Sequence, residues 1–120
     1  MFARVSEFGG PPDRTAEGIR IARRQILPVA REQRGFQGIY LLHDPQSGRS
    51  LSVTLWETAE DMSVSEQSAR RARSASARAS GDAVLSVARY RVVLCELVSA
   101  PERCGAESSR ASASAPPRGL

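Results

Sequence analysis

Residues 35–62, GFQGIYLLHDPQSGRSLSVTLWETAEDM, hold two runs of aromatic, aliphatic and β-branched residues, Phe36 to Asp44 and Arg49 to Glu57, on either side of Pro-Gln-Ser-Gly. Two such runs joined by a short Pro- and Gly-containing turn are the sequence form of a β-hairpin. Thr58, with Asp61 three residues on, then approximates a capping box and opens a helix. The stretch therefore reads strand, turn, strand, helix, and everything outside it has to fit that order.

On the N-terminal side, Phe2 to Phe8 (FARVSEF) reads as a short strand stopped by Gly-Gly-Pro-Pro. Asp13 is placed to cap the following helix, in which Ile19, Ala22, Ile26, Val29 and Ala30 form one apolar stripe reaching to about Gln33. Pro28 removes a backbone donor inside that helix and crowds the carbonyl four residues earlier, so a kink is expected near Arg24. Gly35 supplies the stop after Arg34. On the C-terminal side, one helix is predicted through Met62, Ser65, Ala69, Ala72, Ser76 and Ala79, whose small inward residues let it lie close to a sheet or leave room beneath it. Ala83 to Leu97 reads as a long last strand.

The order βαββαβ predicts an α+β, ferredoxin-like domain over residues 1–97: a four-stranded antiparallel sheet with two helices on one face. Residues 98–120, rich in Ser, Ala and Pro, cannot offset their ordering entropy by burial and are expected to form a disordered tail.

The 120 residues, 41% hydrophobic, suffice for one core and not two. No stretch is long and apolar enough to span a membrane, and MFARVSEF lacks the basic and apolar segments of a leader, so the cytoplasm is the expected compartment. Cys95 and Cys104 form neither a disulfide framework nor a metal-ligand pattern, and Cys95 reads as a core thiol. All 17 basic residues are arginine, and the chain contains no lysine and no asparagine. The net charge of +4 is spread along the chain and aromatic residues make up only 5%, which argues against a base-stacking nucleic-acid surface. The densest basic cluster, Arg70, Arg71, Arg73 and Arg78, reads as a solvated helix face.

Over the hairpin stretch, the first strand MFARV and the closing strand SVARYRV, roughly residues 1–95, the chain resembles the antibiotic biosynthesis monooxygenase family. That resemblance implies a dimeric α/β barrel, a homodimer in which the helix-free sheet faces pack together. The apolar pattern of SLSVTL and VARYRVVL on both faces points the same way, since a sheet with helices on one side must cover the other. It further implies a cofactor-independent monooxygenase of the quinone-forming type, acting with molecular oxygen on a small aromatic or polyketide-like substrate and needing no metal, haem or flavin. In such enzymes a Trp, Tyr, Asn and His or Arg have roles. Carried onto this chain, Trp56, Tyr40 and His43 become the catalytic candidates, and Ser52, Thr54, Met62, Ser65, Ala69 and Tyr90 the substrate pocket. The asparagine has no counterpart. A haem-degrading branch of the family needs an Asn on strand one and a Trp and His on helix two. Strand one here offers Ser6 and Glu7, and helix two offers neither ring, which argues against haem degradation.

Each candidate also has a plain structural reading. Trp56 can be a core anchor. His43, directly before Asp44-Pro45, can be a solvent-facing turn residue, although imidazole is the natural general base near neutrality. Tyr40 and Tyr90 can bury their rings and hydrogen-bond their hydroxyls. Of Arg4, Arg89 and Arg91, at least one is expected in a buried face, paired with Glu7, Glu57, Glu96 or an anionic substrate. A register change of one residue would move His43 relative to Ser52, Thr54 and Trp56, so pattern alone does not fix which strand residues share the pocket face. The alternative to an enzyme is a non-catalytic small-molecule-binding or structural dimer of the same fold.

Overall fold

A computed structural model describes residues 1–11 and 15–98. The chain runs β1 (Phe2–Gly9), α1 (Thr15–Ile21), a π-helical turn (Ala22–Ile26), α2 (Leu27–Arg31), β2 (Phe36–His43), β3 (Arg49–Trp56), α3 (Ala59–Val64), α4 (Glu66–Ser80) and β4 (Ala83–Arg91). The four strands form one antiparallel sheet in the order β2-β3-β1-β4, the ferredoxin-like arrangement expected from the sequence. Asp13, Cys104 and residues 99–120 of the expected tail lie outside the described residues.

Local chemistry explains most boundaries. Thr58 Oγ1 accepts from the Asp61 backbone N–H at 3.0 Å and starts α3. Gly81, at φ +79°, ends α4 in the left-handed region. Gly35, at φ +81°, turns the chain into β2, and a Cβ there would lie 2.2 Å from Asp61 Oδ2, so both conformation and space require glycine. The expected kink before Pro28 takes the form of the π-helical turn. Widening the helix by one residue relieves the crowding between the proline ring and the preceding turn.

Five expectations are corrected. The single second helix is two helices, α3 and α4, with Ser65 between them. At this break the Met62 carbonyl accepts from the Ser65 hydroxyl at 2.8 Å and from Arg4 Nη2 at 2.6 Å, side-chain donors competing for a helix carbonyl. The inward stripe of α4 then runs through Arg73, Ser76, Ala77 and Ser80, while Ala79 is exposed. Arg73 is thereby buried, whereas Arg70, Arg71 and Arg78 do form the solvated face. The last strand stops at Arg91, and Cys95, placed in the extension beyond it, is exposed rather than a core thiol.

Strand alternation sends Arg4, Ser6 and Phe8 of β1, and Ser52, Thr54 and Trp56 of β3, to the helix-covered face. Val5, Val53, Leu51 and Leu55 go to the opposite face, with Tyr40 and Leu42 of β2 and Tyr90 of β4. Beneath the helices lie a buried arginine and several hydroxyls, while the helix-free face is largely aliphatic and aromatic and leaves Tyr40, Leu42 and Tyr90 exposed.

Candidate functional site

Two adjoining cavities open between the sheet and the helices and share Phe8, Ile26 and Ser52 as a common wall. The first, of about 90 Å³, reaches His43 and Ser50 at the hairpin end and is closed by Ala22 and Ser76 from the helices. The second, of about 40 Å³, lies over Trp56 and Thr54 and is bordered by Ser65, Ala69, Arg4 and Arg73. The π-helical turn contributes Ala22 and Ile26 to these walls.

Trp56 anchors the second cavity. The residue is only 2% exposed, its Nε1 donates to Thr54 Oγ1 at 2.9 Å, and Phe36 meets its ring edge-on with centroids 5.5 Å apart. Arg4 lies against the indole from the cavity side, its guanidinium carbon 5.4 Å from the ring centroid, within cation–π range.

Arg4 is the buried strand arginine anticipated from the sequence, but its carboxylate partner is none of those expected. Glu7 pairs with Arg49 at the outer face. Arg4 instead lies 2.9 Å through Nε from Oε1 of Glu66, the first residue of α4, and its Nη2 also donates to Ser65 Oγ at 2.9 Å. The same carboxylate accepts from Arg73 Nη2 at 2.8 Å and pairs with Arg89 at 3.3 Å. Burial depresses the Arg4 pKa against the opposing pull of Glu66, with Arg73 and Arg89 lowering it further. For Glu66, burial alone would raise the pKa. The Arg73 hydrogen bond and the charges of Arg4, Arg73 and Arg89 outweigh it and hold the carboxyl below its ordinary value.

At the hairpin end, His43 Nδ1 and Ser50 Oγ are 2.9 Å apart, a hydrogen bond whose direction follows the imidazole tautomer. The Asp44 carboxylate turns back on its own loop. It is held below the usual range by the Gln46 backbone N–H and the Ser47 hydroxyl, and it fixes the hairpin turn.

The candidate residues thus divide between faces. Trp56, Ser52, Thr54, Ser65 and Ala69 line one cavity and His43 the other, while Met62 is buried beside them and contributes its carbonyl to Arg4. Tyr40 and Tyr90 lie across the sheet, the latter 57% exposed, and are not brought to either cavity. Glu66 and Arg73 were absent from the sequence-derived site. The signal for them was their spacing of seven on one helix, which places them two turns apart on the same side. Among the described residues, no group of three or more His, Cys, Asp or Glu side chains is arranged to hold a metal ion. No described helix is long and apolar enough to cross a membrane.

No known family model matches the chain. An uncharacterized protein of Mycobacterium tuberculosis is 35% identical over 65 residues, 54% of this chain and 28% of that protein, so the chain spans under a third of the curated relatives it matches. Solved structures are similar in fold. A Deinococcus radiodurans protein assigned to the antibiotic biosynthesis monooxygenases superposes with a TM-score of 0.62 at 14% identity, over 83% of this chain and 100% of that one. SnoaB, a cofactor-independent oxygenase from Streptomyces nogalater, gives 0.60 at 14% identity over 78% and 94%. The haem degrader MhuD of M. tuberculosis, solved with two haems in its active site, gives 0.59 at 24% identity over 80% and 99%. The chain therefore has the antibiotic biosynthesis monooxygenase fold, a fold on which oxygenase and haem-degrading sites both occur.

Proposed function

We propose that this chain is a cofactor-independent oxygenase of a small phenolic or enolic aromatic compound, working as a homodimer. The observation that carries the reading is the pair of adjoining cavities between sheet and helices, with the only imidazole of the chain at one end and the only indole at the other. His43 is the candidate base. Removing the phenolic proton gives an electron-rich anion that reduces oxygen directly, and one oxygen atom bonds to the ring carbon as a hydroperoxide. Loss of water with the hydrogen on that carbon leaves the second carbonyl, so one phenol and one O₂ become one quinone and one water. The protein contributes orientation, exclusion of water and proton transfer. The cavities of about 90 and 40 Å³ fall well below the roughly 300–1,000 Å³ of drug-sized ligand sites, which favours a single-ring substrate over a polyketide.

The same dimensions weigh against haem. A porphyrin far exceeds either cavity, and His43 projects from β2 with its Nδ1 against Ser50. The second reading, a binding module without turnover, is favoured by the absence of asparagine from the chain, which removes the amide implied by the family resemblance. Oxygen uptake with a panel of hydroxylated single-ring and two-ring aromatics separates the two. Substrate-dependent consumption supports the enzyme, and binding without consumption supports the module.

The homodimer rests on the helix-free face. Its apolar residues, with Tyr40, Leu42 and Tyr90 exposed, form the kind of patch that soluble chains normally cover.

A further inference from the structure

Three guanidiniums meet one carboxylate at the edge of the second cavity. Arg4, Arg73 and Arg89 approach Glu66 at 2.9, 2.8 and 3.3 Å, and none of the three has another ion-pair partner among the described residues. Arg89 is 50% exposed and its charge is solvated, so of the two positive charges in excess of Glu66 one is buried. Two of the guanidiniums are also out of water, since the Arg4 side chain is 2% exposed and the Arg73 side chain 10%. Among the described residues, Arg73 Nη1 is buried with no hydrogen-bond partner, and Arg4 Nε faces Glu66 without hydrogen-bond geometry. Buried guanidinium N–H groups are costly to leave unmatched, and a surplus of buried positive charge more so.

Both arginines line the cavity that Trp56 backs, and the wall beyond them carries the apolar side chains of Phe8 and Ile26 beside the Ser52 hydroxyl. A ligand suited to this arrangement has an anionic, planar, bidentate head and a flat apolar body. We infer that the Arg4 and Arg73 end of the cavity is a subsite for the carboxylate of a small aromatic acid, with its ring lying along the wall shared with the His43 cavity. The inference rests on the cavity being the substrate site and narrows the substrate to hydroxylated aromatic acids. A carboxylate suits the fork geometry of arginine, and one ring is of the order that cavities of this size accept. Its charge would balance the one buried positive charge that Glu66 leaves over.

The test needs no turnover. Calorimetric titration of the full chain with benzoate, its neutral analogue benzamide and inorganic phosphate, at constant ionic strength, should give benzoate at least about tenfold tighter than either. Arg73→Gln should bring benzoate to the benzamide level, and Arg73→Lys should recover part of the difference. Should Arg73→Gln fail to fold, arginine side-chain NMR of the wild type decides: benzoate, and not benzamide, should shift the Nε–H signals of the buried arginines. Benzamide binding as tightly as benzoate overturns the anion subsite and leaves the aromatic cavity standing. Phosphate matching benzoate overturns the aromatic acid. If none of the three binds, both the subsite and the cavity reading fall.

Discussion

The Arg4 guanidinium lies 5.4 Å from the centroid of the Trp56 ring, so the largest side chain of the core and the most buried charge share one contact. Charge and indole are mutually supporting. Arg4 is held over the ring by Ser65, Met62 and Glu66, and the ring is held by Thr54 and Phe36.

Trp56→Phe removes the hydrogen bond to Thr54 and part of the buried area while keeping an aromatic face for Arg4. We expect the fold to persist with a loss of about 1–3 kcal/mol, and Trp56→Ala to cost about 3–5 kcal/mol. Urea denaturation followed by far-UV circular dichroism measures both. Equal midpoints for wild type and Trp56→Ala would mean that the indole is not a core anchor.

Glu66→Gln leaves three guanidiniums without their shared anion, and a buried ion pair broken on one side typically costs about 3–5 kcal/mol. With the Glu66 side chain 16% exposed, the lower end of that range is expected at neutral pH. The pH dependence has a definite sign. The folded-state pKa lies below the ordinary 4.5, so the stabilisation is complete above about pH 4.5 and is lost as pH falls through the lower folded value. The stability gap between wild type and Glu66→Gln should therefore stay flat from neutrality down to about pH 5 and narrow below pH 4.5. A gap that widened in acid would contradict the assigned pairing.

Leu42 and Tyr90 lie on the helix-free face of the two edge strands, and Val53 lies between them on β3. If that face meets a second copy, sedimentation velocity at micromolar concentration should give twice the chain mass. Leu42→Arg or Tyr90→Arg, both at exposed positions where the monomer loses little packing, should shift the species to monomer. A wild-type monomer under these conditions would leave the aliphatic face uncovered and count against the barrel.

The features that the sequence predicts well are those decided locally. The hairpin, the Thr58 cap and the Gly35 stop each depend on residues within a few positions, and the sheet follows from their order. The charged cluster depends on contacts far apart in the chain, Arg4 reaching residues about 60 positions away at Met62 and Ser65. Pattern alone marks Arg4 only as the charged member of the Phe2, Arg4, Ser6, Phe8 face. The break at Ser65 is hidden for the same reason, since it reflects a side chain from β1 competing for a helix carbonyl. The family resemblance makes Tyr40 a catalytic candidate and Tyr90 a pocket residue, and only the register puts them across the sheet from Trp56.

The strongest test of the proposed chemistry is His43→Ala assayed beside Trp56→Phe on one substrate. His43 lines the first cavity and is held by Ser50, so removing the imidazole deletes the candidate base while leaving Trp56, Arg4 and Arg73 in place. A side chain acting as a true general base contributes ~10²-fold or more, and kcat should fall by at least that factor with KM little changed. Trp56→Phe should act differently, through orientation, lowering kcat/KM by a smaller factor. Ser50→Ala removes the hydrogen bond that positions the ring and should fall between wild type and His43→Ala. If His43→Ala retains wild-type oxygen consumption, the imidazole is not the base and the proton must leave by another group. If no hydroxylated aromatic supports oxygen consumption by the wild type at all, the cavity binds without turnover, and the binding-module reading replaces the enzyme.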